Sequence, residues 1–162
     1  KSSVSINKIL SELLGLCKLQ MKKDHINIKV EISEDVPEII VNTQQIQQVF
    51  LNIINNAQYA LNQKYSKLHE DKLIEIAGDK ITVDGQLCAR IRFYDHGTGI
   101  PKEILNKIRK PFFTTKPSEL GIGLGLSISQ GIIENHGGKI TFESEKGKFT
   151  KVIIVLPASH IS

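Results

Sequence analysis

The sequence predicts an α+β fold, a two-layer α/β sandwich in which three helices cover one face of a mixed, mostly antiparallel sheet of about five strands. Two observations support this class. Apolar residues recur at helical spacing over residues 5–23 and 43–64, and they alternate in several shorter segments. The later strand-like segments are joined by short turns, which favours hairpins. Helices packed on one side of such a sheet would bury both apolar patterns.

The first half of the chain alternates between helices and short strands. A helix over residues 5–23 is followed by predicted strands at 26–32 and 39–41. Thr43 is the expected N-cap of a second helix, which carries a continuous apolar stripe and ends near Lys64.

The second half is predicted as two hairpins with an irregular segment and one helix between them. An Asp-Gly pair joins strands at 73–83 and 86–95, which is a strong hairpin signal. Residues 96–124 are rich in glycine and proline, show little periodicity, and are expected to be irregular and functional. A helix over 125–136 stops at two glycines, and the segments KITFESE and TKVIIVLP form the last hairpin.

Composition places the chain among globular proteins and predicts one domain over residues 1–162. Of the 162 residues, 40% are hydrophobic and 23% are charged, and the apolar runs fall short of the roughly 20 residues that span a bilayer. The net charge of +4 includes a local basic excess at 102–116, which suits a triphosphate as well as a nucleic acid. Because basic residues do not alternate with aromatic ones, we expect no nucleic-acid partner.

The two cysteines, Cys17 and Cys88, stand far apart and in apolar surroundings. Their spacing fits neither a metal site nor a redox motif, so we expect two buried, reduced thiols and a cytoplasmic protein.

Asparagines on the long helix are the first candidates for chemistry. Asn52 and Asn56 are four residues apart and share a face, with Gln45 and Tyr59 near the same line. An amide oxygen is a hard, neutral ligand that suits Mg²⁺. The alternative is a solvated surface, but asparagine is a poor helix former, and three within five residues require a reason.

Two glycine-containing segments are the next candidates. In DHGTGIP, which begins at Asp95, a carboxylate at a strand end can accept a hydrogen bond from an exocyclic amine such as that of adenine, although an ordinary turn has the same composition. In GIGLGLSIS, residues 121–129, alternate glycines lead into a helix whose backbone N–H groups can bind an anion. The spacing is neither that of a Rossmann motif nor that of a Walker loop.

The segment PFFTTKP, residues 111–117, places two phenylalanines inside a loop. They either anchor a movable lid over residues 101–122 or plug a satellite core. Lys116 is placed to reach a phosphate, or it is an ordinary surface lysine.

The four segments together, in this order, resemble the boxes of the histidine-kinase branch of the GHKL ATPase superfamily. QQVFLNIINNAQYAL resembles the asparagine box, DHGTGIP and GIGLGLSIS the two glycine boxes, PFFTTKP the phenylalanine box, and GKFTKVIIVLP the closing strand. The resemblance extends over residues 5–157 and is strongest to the nitrogen-regulator subgroup.

The resemblance implies a GHKL ATP-binding fold and a set of nucleotide-binding residues. Asn56 would coordinate Mg²⁺, Asp95 would bind the adenine amine, and Asn52 and Lys116 would act on the phosphates in catalysis. Tyr59 stands where relatives often have a charged residue, and it either lines the nucleotide or packs. The implied set comprises Asn52, Asn56, Tyr59, Asp95, Gly97, Gly99, Ile100, Phe113, Thr115, Lys116, Gly121, Gly123, Leu124, Gly125, Leu126 and Thr150.

The activity that the resemblance implies is transfer of the γ-phosphoryl group of Mg·ATP to a histidine on a separate dimerisation domain, upstream of a response regulator in two-component signalling. None of the five histidines follows the phosphoacceptor pattern, so the acceptor is expected on a preceding segment. The chain alone would be monomeric, within a homodimeric parent that is cytoplasmic or the cytoplasmic part of a membrane-bound sensor.

Two other functions fit the same boxes less well. A GHKL ATPase that hydrolyses ATP needs a glutamate where this chain has Asn52, and an amide cannot act as a general base. A degenerate module that binds nucleotide without phosphotransfer is the other alternative.

Overall fold

A five-stranded sheet and the helices packed on one of its faces form the two layers of the computed structural model, which describes residues 1–108 and 123–159. The sheet order is β2-β4-β5-β7-β6; β2 pairs with β4 in parallel, and the other neighbours are antiparallel. The predicted fold class is therefore confirmed.

The elements have the following bounds. The strands are β1 (Ser2–Val4), β2 (Asn27–Ile32), β3 (Ile39–Val41), β4 (Leu73–Val83), β5 (Gln86–Asp95), β6 (Lys139–Glu145) and β7 (Phe149–Pro157). The helices are α1 (Ile6–Lys23), α2 (Thr43–Lys64), α3 (Lys102–Ile108) and α4 (Gly123–Asn135).

Helix α2 is the central element of the helical layer. Its apolar stripe is buried against the sheet, and the ring of Phe50 lies 5.3 Å from that of Phe93 on β5. The N-cap is Asn42 and not Thr43, because the Asn42 side chain accepts the N–H of Gln45 at 3.1 Å while Thr43 is already helical. This correction shifts the predicted cap by one residue.

His136 joins the end of α4 to the start of α2. The backbone N–H of Asn42 donates to His136 Nε2 at 3.1 Å, so Nδ1 carries the proton and donates to the carbonyl of Ile132 at 2.8 Å. With Ile133 fully buried beside it, this end of α4 is firmly fixed.

Two elements were absent from the prediction. Strand β1 pairs with β3 in a separate two-stranded sheet, and its three residues depend on that partner for their conformation. Helix α3 lies inside the segment predicted to be irregular; the N–H groups of Ile104 and Leu105 both donate to the carbonyl of Pro101, and Leu105 is buried. Helix α4 spans 123–135 rather than 125–136.

The predicted thiols are both free, as expected, but only Cys88 is buried, because Cys17 lies at the edge of the α1 stripe and is half-buried. Burial raises the pKa of both thiols. Within residues 1–108 and 123–159, no helix has the length and apolar character needed to span a membrane.

The outer face of the sheet carries charged side chains in pairs. Arg90 on β5 lies opposite Asp79 on β4, with Nε 2.9 Å from Asp79 Oδ1 and Nη2 also hydrogen bonded to the carboxylate. Arg92 Nη2 lies 3.7 Å from the same carboxylate. The Arg90 hydrogen bonds lower the pKa of Asp79, so this acid is ionised and fully compensated.

Candidate functional site

A cavity of about 270 Å³ opens between α2 and the end of the sheet where β5 finishes. Its walls are mostly apolar, with a few polar groups that converge on the interior, which is typical of a small-molecule site. Seven residues of the predicted nucleotide-binding set line it: Asn56, Tyr59, Asp95, Gly99, Ile100, Leu126 and Thr150.

Asp95, the last residue of β5, provides the buried acid of this cavity. Only 6% of its surface is exposed, and its Oδ1 accepts the N–H of Gly97 at 2.9 Å. Burial raises the pKa of Asp95 to about 7, against the opposing effects of the Gly97 N–H and the Lys64 ammonium. Because it lines the cavity, this carboxyl group can form a hydrogen bond with a ligand there.

The glycine loop, residues 96–101, is held between α2 and the turn that follows β6. A Cβ on Gly97 would lie 2.6 Å from the Cβ of Ala60 on α2. Gly99 has a φ of +69°, and a Cβ there would overlap the carbonyl group of Glu145. Both positions therefore require glycine, because neighbouring atoms leave no room for a Cβ. Gly99 is required also because its φ lies in the left-handed region.

The glycine loop is also tied to the β6–β7 turn, residues 146–148, and to the strands beside it. The N–H of Gly147 donates to the carbonyl of Thr98 at 2.6 Å. Ser144 Oγ accepts the N–H of Ile100 at 2.7 Å and lies 3.0 Å from Thr150 Oγ1. Since Thr150 is the β7 partner of Asp95, these bonds place loop, turn and acid around one end of the cavity.

The two predicted asparagines differ in position. Asn56 lines the cavity, whereas Asn52 reaches toward α4, with its Nδ2 3.4 Å from the carbonyl of Gly125 and 3.3 Å from Ser129 Oγ. Tyr59 lines the cavity with 51% of its surface exposed, and its hydroxyl accepts a hydrogen bond from Gln63 at 2.9 Å.

The second glycine segment supplies the first turn of α4, which begins at Gly123 and continues through Leu124. Gly125 has ordinary space around it, since a Cβ would lie 3.6 Å from Asn52 Cγ, while Leu126 is buried and lines the cavity. Outside the described residues lie Phe113, Thr115, Lys116 and Gly121, together with most of the predicted lid over 101–122.

The donors in the cavity fit a magnesium ion carried by a nucleotide better than a metal held by the protein alone. In the described part of the chain, no three His, Cys, Asp or Glu side chains gather around a common point. Mg²⁺ needs only one or two protein ligands when phosphates and waters complete its shell, and Asn56 offers one amide oxygen.

Sequence analysis missed three side chains that shape this end of the molecule. Ser144 bridges the glycine loop and β7, Lys146 lines the cavity, and Lys64 at the end of α2 bonds to backbone carbonyls of both the loop and the turn. Lysine and serine are so common on surfaces that nothing in the local sequence distinguishes these three.

The comparisons with known proteins agree with this geometry. Residues 41–160 match the family described as histidine kinase-, DNA gyrase B- and HSP90-like ATPases. The chain belongs to this ATPase family.

Particular relatives narrow the class to histidine kinase catalytic domains. The catalytic domain of the histidine kinase ThkA is 30% identical, with a TM-score of 0.75 over 96% of this chain and 94% of that one. The sensory histidine kinase/phosphatase NtrB of Vibrio alginolyticus is 33% identical over 94% of this chain. The sensor protein TdiS of Thauera aromatica is 29% identical over 94%. The chain spans less than half of these curated relatives, 43% of NtrB and 27% of TdiS.

Proposed function

We propose that this chain binds Mg·ATP and delivers its γ-phosphoryl group to a histidine on a separate dimerisation domain of the same protein. The observation that carries the proposal is Asp95, a buried acid at the cavity wall that receives one hydrogen bond from the described residues, from a backbone N–H. Such a group is unfavourable in an empty protein, and a ligand amine would compensate it.

Different groups of described residues would bind the base, the magnesium ion and the phosphates. Asp95 accepts a hydrogen bond from the adenine amine, and the apolar walls, including Ile54, Ile74 and Leu126, pack on the base. The amide oxygen of Asn56 would be a ligand of the magnesium ion, which would neutralise phosphate charge when bound. The first turn of α4 directs backbone N–H groups to the phosphates, as helix N-termini do.

Position 52 favours transfer over hydrolysis. Its amide is neutral, and Nδ2 is directed at α4, so Asn52 supplies no base to activate water. Among the described histidines, His136 uses both ring nitrogens within the fold, which leaves it unsuited as an acceptor. Because none of the five histidines follows the phosphoacceptor pattern, we infer that the acceptor lies on another domain.

The wider biological setting follows from the relatives and is part of the proposal. ThkA has been solved in complex with the response regulator protein TrrA, with a TM-score of 0.70 and 26% identity to this chain. We infer that a response regulator acts downstream here too, that this domain is a monomer within a homodimeric kinase, and that it works in the cytoplasm.

Calorimetric titration with a non-hydrolysable ATP analogue, with and without Mg²⁺, tests the nucleotide site. We expect Asn56→Ala to weaken binding on the order of tenfold with Mg²⁺ present and to change little without it. Asn55→Ala is the matched control, since Asn55 lies on the exposed side of the same helix. No heat and no thermal shift at millimolar nucleotide would refute the site.

Phosphotransfer needs a second assay. The dimerisation domain of the full protein is incubated with this chain and γ-labelled ATP, and label on the histidine is expected. If nucleotide binds but no label is transferred, the chain is a binding module and not a kinase domain.

A further inference from the structure

One cation stands out near the cavity because it contacts two separate backbone segments. Lys64, at the C-terminal end of α2, places Nζ 2.9 Å from the carbonyl of Gly147 and 3.4 Å from the carbonyl of Gly97. The first carbonyl belongs to the β6–β7 turn and the second to the glycine loop. The lysine therefore joins three elements that are far apart in the sequence.

The surrounding geometry shows why a cation fits this place. Lys64 lies one helical turn beyond Ala60, whose Cβ already leaves no room for a side chain at Gly97. Gly147 also donates its N–H to Thr98 in the loop. Loop and turn thus approach each other at the helix end, where Lys64 Nζ is hydrogen bonded to a carbonyl of each. Carbonyls at a helix C-terminus add a favourable field for a positive charge.

We propose that Lys64 is a positioning residue for the nucleotide: its ammonium holds the glycine loop against the β6–β7 turn and so fixes the carboxylate of Asp95 for the adenine. This inference rests on the proposed function. Asp95 and Gly97 are directly coupled, because the Gly97 N–H is the donor to Asp95 Oδ1 while the Gly97 carbonyl is bonded to Lys64. A displaced loop would therefore change the orientation of the acid.

The charge of Lys64 has a second effect on the same carboxyl group. Burial raises the pKa of Asp95 to about 7, and the Lys64 ammonium opposes this rise by favouring the ionised form. Among the described residues, the other titratable side chains that line the cavity are Tyr59 from α2, Tyr94 from the strand of Asp95 and Lys146 from the turn, and His96 contacts Tyr94. His96 Nε2 lies 3.8 Å from Glu75 Oε1.

The test compares Lys64→Met, which keeps most of the shape and removes the charge, with Lys64→Arg, which keeps the charge. Lys67→Met is the matched control, because Lys67 is an exposed lysine three residues further on. Calorimetry with a non-hydrolysable Mg·ATP analogue should show about fivefold weaker binding for Lys64→Met. Lys64→Arg should recover part of this loss, and Lys67→Met should equal the parent.

A purely structural lysine would weaken binding without changing the titration of Asp95. Carboxyl carbon chemical shifts of labelled aspartate, followed against pH without nucleotide, report that titration directly. We expect its midpoint to rise in Lys64→Met and to return toward the parent in Lys64→Arg.

The two outcomes separate the two proposals. Failure of the parent to bind the ATP analogue overturns the proposed function. Binding by the parent, with either the affinity or the Asp95 midpoint unchanged in Lys64→Met, overturns the role of Lys64 alone.

Discussion

Each face of the sheet carries one buried or half-buried aspartate, and the pKa values of the two acids are shifted in opposite directions. On the outer face, Asp79 is bonded by Arg90 and approached by Arg92, and its pKa is lowered. On the inner face, Asp95 has one backbone N–H, and burial raises its pKa. The first acid is satisfied by the fold. Among the described residues, the second acid has one backbone N–H bond and the charge of Lys64 to offset its burial, and this difference supports our proposal that it serves a ligand.

The largest expected effect concerns stability. The folded chain binds the Asp95 proton more tightly than the unfolded chain, whose pKa is near 3.8, so stability falls as pH rises from about 4 to about 7. Asp95→Asn keeps an oxygen for the Gly97 N–H without the buried charge. We expect it to raise the free energy of unfolding by on the order of 2 kcal/mol at pH 8, and by less at pH 5.

Urea unfolding at both pH values measures this gain. A variant that is less stable than the parent at pH 8 would mean that the Asp95 carboxylate is compensated in the empty protein. The proposed difference between Asp79 and Asp95 would then be wrong.

The same substitution should weaken the nucleotide complex. A neutral amide oxygen accepts the adenine amine less strongly than a carboxylate, so affinity for the ATP analogue is expected to fall tenfold or more. Guanine carries an oxygen in place of that amine, so the parent should prefer ATP over GTP and Asp95→Asn should narrow the preference. Competition titrations measure both; equal affinity and unchanged preference would remove Asp95 from the adenine pocket.

The smallest effect is expected on the outer face. Asp79→Asn should lower the free energy of unfolding by at most about 1 kcal/mol at neutral pH, because the pair is partly exposed and screened. The pKa of Asp79 is lowered, so its contribution is present above pH 4 and disappears as pH falls below that. Urea unfolding at low and high salt should show a smaller loss at high salt, and nucleotide affinity should equal that of the parent. A marked loss of binding would show that the two faces are coupled.

The sequence predicted those parts of the site whose chemistry is local. Asp95, Gly97 and Gly99 lie within one short motif. The motif itself therefore indicates an acid flanked by small residues. The long helices were predictable because their apolar stripes repeat over many turns.

The missed parts depend on contacts between distant segments. Lys64 meets carbonyls 33 and 83 residues further along the chain, and no local pattern encodes that approach. Ser144 bonds to Ile100 across 44 residues. Strand β1 needs β3 as its partner, and α3 has only seven residues, too few for periodicity to show. The positions of these side chains and the formation of these two elements therefore depend on tertiary packing.

The two ends of helix α4 are held by different contacts. Its far end is pinned, because the His136 ring bonds to Asn42 and Ile133 is fully buried. Its near end also packs beside α2: Leu126 and Ser129 are buried, and the Asn52 amide lies 3.3 Å from Ser129 Oγ and 3.4 Å from the Gly125 carbonyl, which are long hydrogen bonds. We therefore expect the near end of α4 to be held mainly by packing, and the far end by packing together with the His136 hydrogen bonds. We expect a shift of that far end to act on the start of α2 through the bond between His136 and Asn42, some 10 residues before Asn52.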